Sequence, residues 1–337
     1  MQKQSILFVY VNYSSFVKAD FKILSGFAKV KRYQFKPGKG IFNTGVELFK
    51  ELIYLMFKGF KYNTIFIWFG DYHSLLPVLF ARLFGKKSCV VIGGYDVSTL
   101  PEYHYGALCH PLRSFFTRNT FKYAGICLPV AEALHKKLKL IDPDARAETI
   151  PTRVDSTNFN FSEYNRSKTV MTISGTDNFQ RLMVKGLDRF RDLATYLPEF
   201  EFIIIGTTES VKTCFEPLPA NLILLPPQDF DQLGQYYQRA SIYAQLSRSE
   251  GLPNALCEAM LCGCIPVGTN VGDIGITIGS AGLTVENWNP ELMAEFIRAN
   301  HNNIQLRDMA REQVITLYDN GRRAERFRQL IDNPVKA

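Results

Sequence analysis

Nine short apolar runs are spread along this chain, and most are apolar throughout rather than alternating. They read SILFVYV (5–11), TIFIWF (64–69), SCVVIG (88–93) and GICLPV (125–130) in the first half. The second half has TVMTIS (169–174), FEFIIIG (200–206), NLILLP (221–226), SIYAQLS (241–247) and IPVGT (265–269). A strand buried on both faces of a parallel sheet must be apolar on both. Amphipathic stretches such as SLLPVLFARLFGKK, AEALHKKLKL and DQLGQYYQRA lie between the runs. Strand–helix alternation of this kind predicts a doubly wound, Rossmann-like α/β architecture. The length of 337 residues suffices for two domains with a core each. The polar, aperiodic STNFNFSEYNRSK (156–168) sets the break, giving domains over 1–160 and 165–315. From about Pro290 the pattern is helical, and the tail 316–337 can pack back on the N-terminal domain.

The cysteines exclude one class of fold. There are seven, an odd number without a C-x-x-C pair, and several sit inside apolar runs. That pattern implies buried, reduced thiols in a cytoplasmic protein, not a disulfide scaffold or zinc ribbon. The N-terminal run Ile6–Val11 is shorter than the apolar core of a secretory signal. No stretch reaches the ~18 uncharged apolar residues of a membrane span. The longest candidate is interrupted by Asp71, His73 and Arg82.

Charge is uneven. Residues 1–163 hold 22 Lys and Arg against 12 Asp and Glu, whereas 164–337 hold 17 against 20, within a net charge of +7. A basic first half suits an anionic partner, be it a membrane surface, a phospholipid-linked substrate or nucleic acid, and equally a solvated lysine-rich surface. No nucleic-acid recognition motif accompanies it. In NTGVELFKELIYLMFKGFKY (43–62), Val46, Phe49, Ile53, Phe57 and Phe60 recur at helical spacing beside Lys50, Lys58 and Lys61. HPLRSFFTRNTFKY (110–123) again mixes aromatics with cations. Such a stripe either faces a core or lies on a lipid surface. With the basic first half, the expectation is reversible contact with an anionic membrane leaflet.

The stretch SIYAQLSRSEGLPNALCEAMLCGCIPVGTN (241–270) bears most directly on function. It reads as strand, loop, helix, glycine stop and strand. Pro253 suits the first helical turn, and Gly263 suits the left-handed position that ends the helix. The helix start at Leu252, Pro253 and Asn254, beside the small Gly251, offers backbone N–H groups to an anion at the carboxyl end of a strand. Glu258 follows Asn254 by one turn, and Glu250 precedes the helix. Two carboxylates there would hold hydroxyls of a nucleotide-linked sugar. The plainer readings are a solvent-facing helix Glu and a loop carboxylate that helps cap the helix. The Glu-x7-Glu spacing occurs about once by chance in such a chain, so the surrounding string carries the weight.

That string resembles the donor-site signature of family 4 (group 1) retaining glycosyltransferases: Ser247, Glu250, Gly251, Pro253, Glu258, Ala259, Met260, Gly263, Pro266 and Val267 all fall in register. IPTRVDSTNF (150–159) resembles the inter-domain element of that family, with Thr152 and Arg153 in place of Asn-Gly. The resemblance implies the GT-B fold, two Rossmann-like domains facing a cleft with helices at the C-terminus, the donor held by the second. In MTISGTDNFQRLMVKGLDRF (171–190), Lys185-Gly186 matches the family element that holds the donor diphosphate. The Arg of that element is displaced: Thr176 follows Gly175, and Arg181 sits four residues before Lys185. Arg181 either supplies the charge from a longer loop or is a solvated loop residue.

In the first half the family His is replaced by Gly93, within Gly93-Gly94-Tyr95-Asp96. Asp96 is retained, and His104 and His110 follow. The resemblance therefore implies Glu250, Lys185 and Asp96 as catalytic residues. Glu258, Arg181, Gly175 and Gly251–Asn254 bind a nucleotide-sugar donor. The acceptor is a glycan or a lipid-linked molecule, neither metal nor other cofactor is needed, and nucleic acid is not a partner. Asp142-Pro-Asp144 sits in a turn-like context rather than beside a strand, as a metal-dependent enzyme would have it. The competing readings are a different nucleotide-sugar enzyme of the same fold and a non-catalytic glycan- or partner-binding module. An NAD enzyme is disfavoured because no G-x-G-x-x-G follows any run.

Overall fold

The computed structural model describes residues 4–38, 40–154, 156–161, 166–318 and 321–332. Part of the expected break (162–165) and of the tail (319–320 and 333–337) therefore lies outside the described residues. The chain divides into two compact units, Met1–Arg153 with Gly321–Ala337, and Val154–Asn320.

The first unit runs β1 (Ser5–Tyr10), α1 (Ser15–Ser25), β2 (Lys29–Gln34), α2 (Ile41–Lys58), β3 (Thr64–Trp68), α3 (Tyr72–Leu83), β4 (Lys87–Ile92), α4 (Pro111–Tyr123), β5 (Ile126–Pro129) and α5 (Glu132–Ile141). Its sheet is parallel, in the order β2-β1-β3-β4-β5. The order reverses between β1 and β3, so the right-handed crossover rule puts α1 on one face and α2, α3 and α4 on the other. Leu7, Val9, Ile65, Ile67 and Val90 pack with Leu55, Val78 and Phe80 on the latter face.

The second unit runs β6 (Ser167–Thr176), α6 (Phe179–Val184), α7 (Leu187–Tyr196), β7 (Glu201–Thr207), α8 (Glu209–Lys212), β8 (Leu222–Leu225), α9 (Phe230–Arg239), β9 (Ala240–Gln245), α10 (Asn254–Leu261), β10 (Ile265–Thr269), α11 (Ile274–Ile278), β11 (Leu283–Val285), α12 (Pro290–Asn300) and α13 (Ile304–Tyr318). The sheet order is β11-β10-β9-β6-β7-β8, again parallel. Its reversal lies between β6 and β9. All nine apolar runs are strands.

Two strands escaped the sequence pattern. In β2, KVKRYQ, charged residues stand on an edge strand and mask the alternation, as suits an edge that must not pair with other chains. The other, β11, is only three residues long.

The last helix, α14 (Arg322–Asp332), belongs to the first unit and packs on α1. Arg323 donates to both carboxylate oxygens of Asp20 (2.7 and 2.6 Å), and both side chains are almost fully buried. Trp68 Nε1 donates to the same Asp20 at 3.0 Å. Arg323 also donates to the carbonyls of Ile150 and Pro151 and lies over the Phe327 ring. A bidentate guanidinium–carboxylate pair whose guanidinium also donates to backbone carbonyls is the arrangement that tolerates burial. Among the described residues no helix is long and apolar enough to cross a membrane. All seven cysteines are unpaired thiols, five of them buried. Burial pushes the Cys89 thiol up to about 12.

Candidate functional site

In an open α/β sheet, ligands collect outside the carboxyl ends of the strands where the order reverses. In the second unit that point is defined by the segments following β6 and β9. β9 is continued by the loop 246–253, and α10 follows. Ala, Leu, Glu and Met favour that helix, and Gly263 (φ +83°) ends it as expected. Pro253 is not in the first turn: it immediately precedes the helix, with φ −82° and ψ 79°. The helix start is also less open than the spacing suggested. Pro253 has no N–H, and that of Asn254 donates to Leu252 O at 3.0 Å. The first-turn N–H groups beyond it, at Ala255 and Leu256, receive no side-chain cap.

Lys185 and Glu250, 65 residues apart in sequence, meet at 2.9 Å, Nζ to Oε2. Ser247 Oγ and Gln245 Nε2 also donate to Oε2, each at 3.1 Å. Three donors thus converge on one oxygen, and the Glu250 side chain is only 13% exposed. Lys185 closes α6, its N–H donating to Arg181 O. Gly186 then turns the chain into α7 with φ +69°, and a Cβ there would stand 1.9 Å from Leu246 O. Only glycine lets the corner approach the β9 loop so closely. Gly272 (φ +63°) does the same from the other side, with a Cβ position 2.3 Å from Glu250 O.

Arg248 locks the two segments together. Its N–H donates to Val184 O at 2.7 Å and its guanidinium to Met183 O at 2.6 Å. It also grips both oxygens of Asp188 at 2.6 Å. Sequence reading missed Arg248 and Asp188, because nothing local to either marks a partner 60 residues away.

Glu258 is not the solvent-facing helix residue that the plainer reading supposed. It is half-buried, and the hydroxyl of the fully buried Tyr237 donates to its Oε2 at 2.9 Å. Burial pushes its carboxyl up to about 7, although the Tyr237 hydroxyl works to lower it. Gly251 is buried, and its carbonyl accepts from Asp273 N at 3.1 Å. Gly175 is exposed near the end of β6, with open space where a Cβ would stand. Arg181 is also exposed, 3.7 Å from Asp177 on its own segment.

In the first unit Asp96 is fully buried. Its oxygens accept the N–H groups of Gly94 (2.9 Å), Gly70 (3.2 Å) and Gly93 (3.4 Å). Burial pushes its carboxyl up to about 6 while these donors work to lower it. A carboxylate so enclosed ties the loops after β3 and β4 together. His104 is exposed with φ +46°, and His110 precedes α4 without capping it. The fully buried His73, its Nε2 2.8 Å from Trp68 O, is a packing residue. Besides Asp142-Pro-Asp144, the sequence has a second Asp-x-Asp, Asp229–Asp231, at the start of α9. Among the described residues no group of three His, Cys, Asp or Glu is placed to hold a metal ion.

Residues 172–303, which contain the whole Lys185–Glu250–Glu258 constellation, match the family model described as Glycosyl transferases group 1. An uncharacterized glycosyltransferase of Methanocaldococcus jannaschii is 30% identical over 144 residues, 41% of this chain and 39% of that protein. The chain thus matches about two fifths of the length of that curated relative. Three similar solved structures match over nearly all of both chains. Sucrose-phosphate synthase of Thermosynechococcus elongatus superposes with a TM-score of 0.79 at 13% identity, covering 97% of this chain and 98% of that one. HepE of Anabaena, solved in complex with UDP, gives 0.73 at 13% identity over 97% and 99%. A glycosyltransferase of Rickettsia africae gives 0.74 at 14% identity over 100% of each. These likenesses establish the fold. It is GT-B: two parallel-sheet, Rossmann-like units with a helical C-terminus.

Proposed function

We propose that the chain is a retaining glycosyltransferase of family 4 that moves a sugar from a nucleotide-sugar donor to a glycan or lipid-linked acceptor. Such a reaction belongs to the building of surface polysaccharide or glycolipid at the inner face of a membrane, in the cytoplasm. The observation that carries the reading is the Lys185–Glu250 pair at the strand-order reversal of the second unit, inside the stretch that matches group 1 glycosyl transferases.

In this reading Lys185 moves from Glu250 to the donor diphosphate and stabilises the negative charge that develops as the sugar–phosphate bond breaks. That fixed cation lets the reaction run without a metal. Ser247 Oγ and Gln245 Nε2 stay on Glu250 Oε2 when Lys185 leaves, so Oε1 is the atom offered to a hydroxyl of the transferred sugar. Glu258 accepts ribose hydroxyls, and the first turn of α10 faces phosphate. The acceptor oxygen bonds to the anomeric carbon on the face the diphosphate leaves. Its proton passes to a phosphate oxygen, so no protein base is consumed. HepE, solved with UDP and with UDP-glucose, is a fold relative that supports a uridine nucleotide as the first donor to test.

The test is incubation with a panel of nucleotide sugars while following nucleoside diphosphate release, then the anomeric coupling of the product by NMR. Release from at least one donor, a product of unchanged anomeric configuration and full rate in chelator are expected. An inverted product would remove retention, rate loss in chelator would remove metal independence, and no release from any donor would remove transfer itself.

A further inference from the structure

The outward face of the first unit over α2, α3 and α4 is apolar where water should have made it polar. Phe42, Phe49 and Phe57 on α2 are 83, 63 and 79% exposed, and Ile53, Met56 and Phe60 stand out beside them. The stripe therefore does not face the core, as helix periodicity alone allowed. What α2 turns inward is Thr44, Glu51 and Leu55. Leu83 at the end of α3, Phe84 just after it and Phe115 on α4 add exposed apolar surface, and α3 packs against both neighbours. An 18-residue helix is about 27 Å long, and exposed apolar residues from Phe42 to Phe57 run along most of it. Contiguous exposed apolar surface on this scale marks an interaction site.

Charge decides the occupant. The ranges of α3 and α4 contain no Asp or Glu, whereas Arg82, Arg118 and Lys122 are exposed there. On α2 and the turn after it Lys58 and Lys61 are exposed. The two acids of α2 are both withdrawn from this field. Glu47 is paired with Lys50 at 2.6 Å. Glu51 is 1% exposed, neither of its oxygens has a hydrogen-bond partner, and burial raises its pKa well above the usual carboxylate value, which favours the neutral form. Asp71, which caps α3, is likewise paired with Arg113 of α4 at 2.8 Å, so a face of exposed aromatics flanked by unneutralised cations complements an anionic lipid surface. A second copy of the chain would set Lys58 and Lys61 against like charge.

We propose that the α2–α3–α4 face docks on an anionic membrane leaflet, with the α2 phenylalanines entering the headgroup boundary and Lys58, Lys61, Arg118 and Lys122 meeting the headgroups. The docking is independent of the transferase reading. The test is flotation of the full chain with phosphatidylcholine vesicles, with and without about a third phosphatidylglycerol. Wild type floats with the anionic vesicles and not the neutral ones. Lys58→Gln with Lys61→Gln weakens partition about fivefold per charge. Phe42→Ser with Phe57→Ser, at positions that stand in solvent and so spare the fold by circular dichroism, abolishes flotation. In a Phe57→Trp variant the added indole emission is quenched by brominated acyl chains, which separates insertion from purely electrostatic adsorption. Equal flotation with both vesicles, no flotation, a Phe57→Trp variant quenched no more than wild type, or sedimentation equilibrium showing a dimer that Phe57→Ser dissolves would each overturn the proposal.

Discussion

Replacing Glu258 by Gln should make the second unit more stable, and only at higher pH. Burial raises the Glu258 carboxyl from an ordinary value of 4.5 to about 7. A group whose pKa is higher folded than unfolded binds more protons in the folded state, so stability falls as pH rises between the two values. The contribution is fully present below about 4.5 and lost as pH passes 7. With a tenfold change in protonation equilibrium worth ~1.36 kcal/mol, the interval from 4.5 to about 7 amounts to about 3 kcal/mol by pH 8. Gln keeps an acceptor for the Tyr237 hydroxyl and cannot ionise. Wild type and variant should therefore match near pH 4.5 and differ by about 3 kcal/mol at pH 8. The chain has one tryptophan in each unit, Trp68 in the first and Trp288 in the second, so a Trp68→Phe background leaves Trp288 as the reporter of the second unit and a Trp288→Phe background leaves Trp68 as that of the first. Urea transitions followed by Trp288 emission between about pH 4.5 and 8.5 give the difference directly. A stability difference that does not change with pH would refute the assignment of the raised pKa to this carboxyl. The nucleotide side runs the opposite way: ribose hydroxyls need the ionised acceptor, so nucleoside diphosphate affinity should rise as pH passes 7 in wild type and stay low and flat in Glu258→Gln.

Asp20→Ala leaves the buried Arg323 guanidinium without its carboxylate and Trp68 without its acceptor, so the first unit should lose about 3–5 kcal/mol. The urea midpoint read by Trp68 should fall accordingly, and an unchanged midpoint would show that the pair contributes nothing. Gly186→Ala places a Cβ 1.9 Å from Leu246 O in a left-handed backbone, and should cost about 1–3 kcal/mol of strain and displace the Lys185 corner. Thermal melting and turnover should both drop, and retention of both would mean the corner can relax. Arg181→Ala should leave kinetics at the wild-type level, because the side chain is exposed and nearest Asp177. A tenfold fall in kcat would instead bring Arg181 to the diphosphate.

The apolar strands and their alternation with helices were legible because a parallel strand buried on both faces carries its environment in its composition. The 241–270 string was legible for a different reason: it resembles the donor-site signature of a glycosyltransferase family, while local geometry alone fixed the Gly263 stop and misplaced Pro253 by one position. Contacts between distant segments were not. The Glu250–Lys185 pair, the Arg248–Asp188 clamp and the Tyr237–Glu258 bond each join residues that only the sheet order β9-β6 or the helix packing brings together. Amphipathic periodicity likewise fixes which residues share a face of α2 without fixing which face meets the core. There the larger apolar set lies outside, and a carboxyl lies within.

The most direct test of the Lys185–Glu250 site is the steady-state kinetics of Lys185→Ala with the donor found in the nucleotide-sugar panel. Lys185 is one-third exposed at the end of a short helix, so the fold should survive, as Trp288 emission will show. Loss of a fixed charge at the leaving diphosphate should lower kcat and kcat/KM together by about 100- to 1000-fold. A folded Lys185→Ala protein that turns over the donor at the wild-type rate would contradict the account.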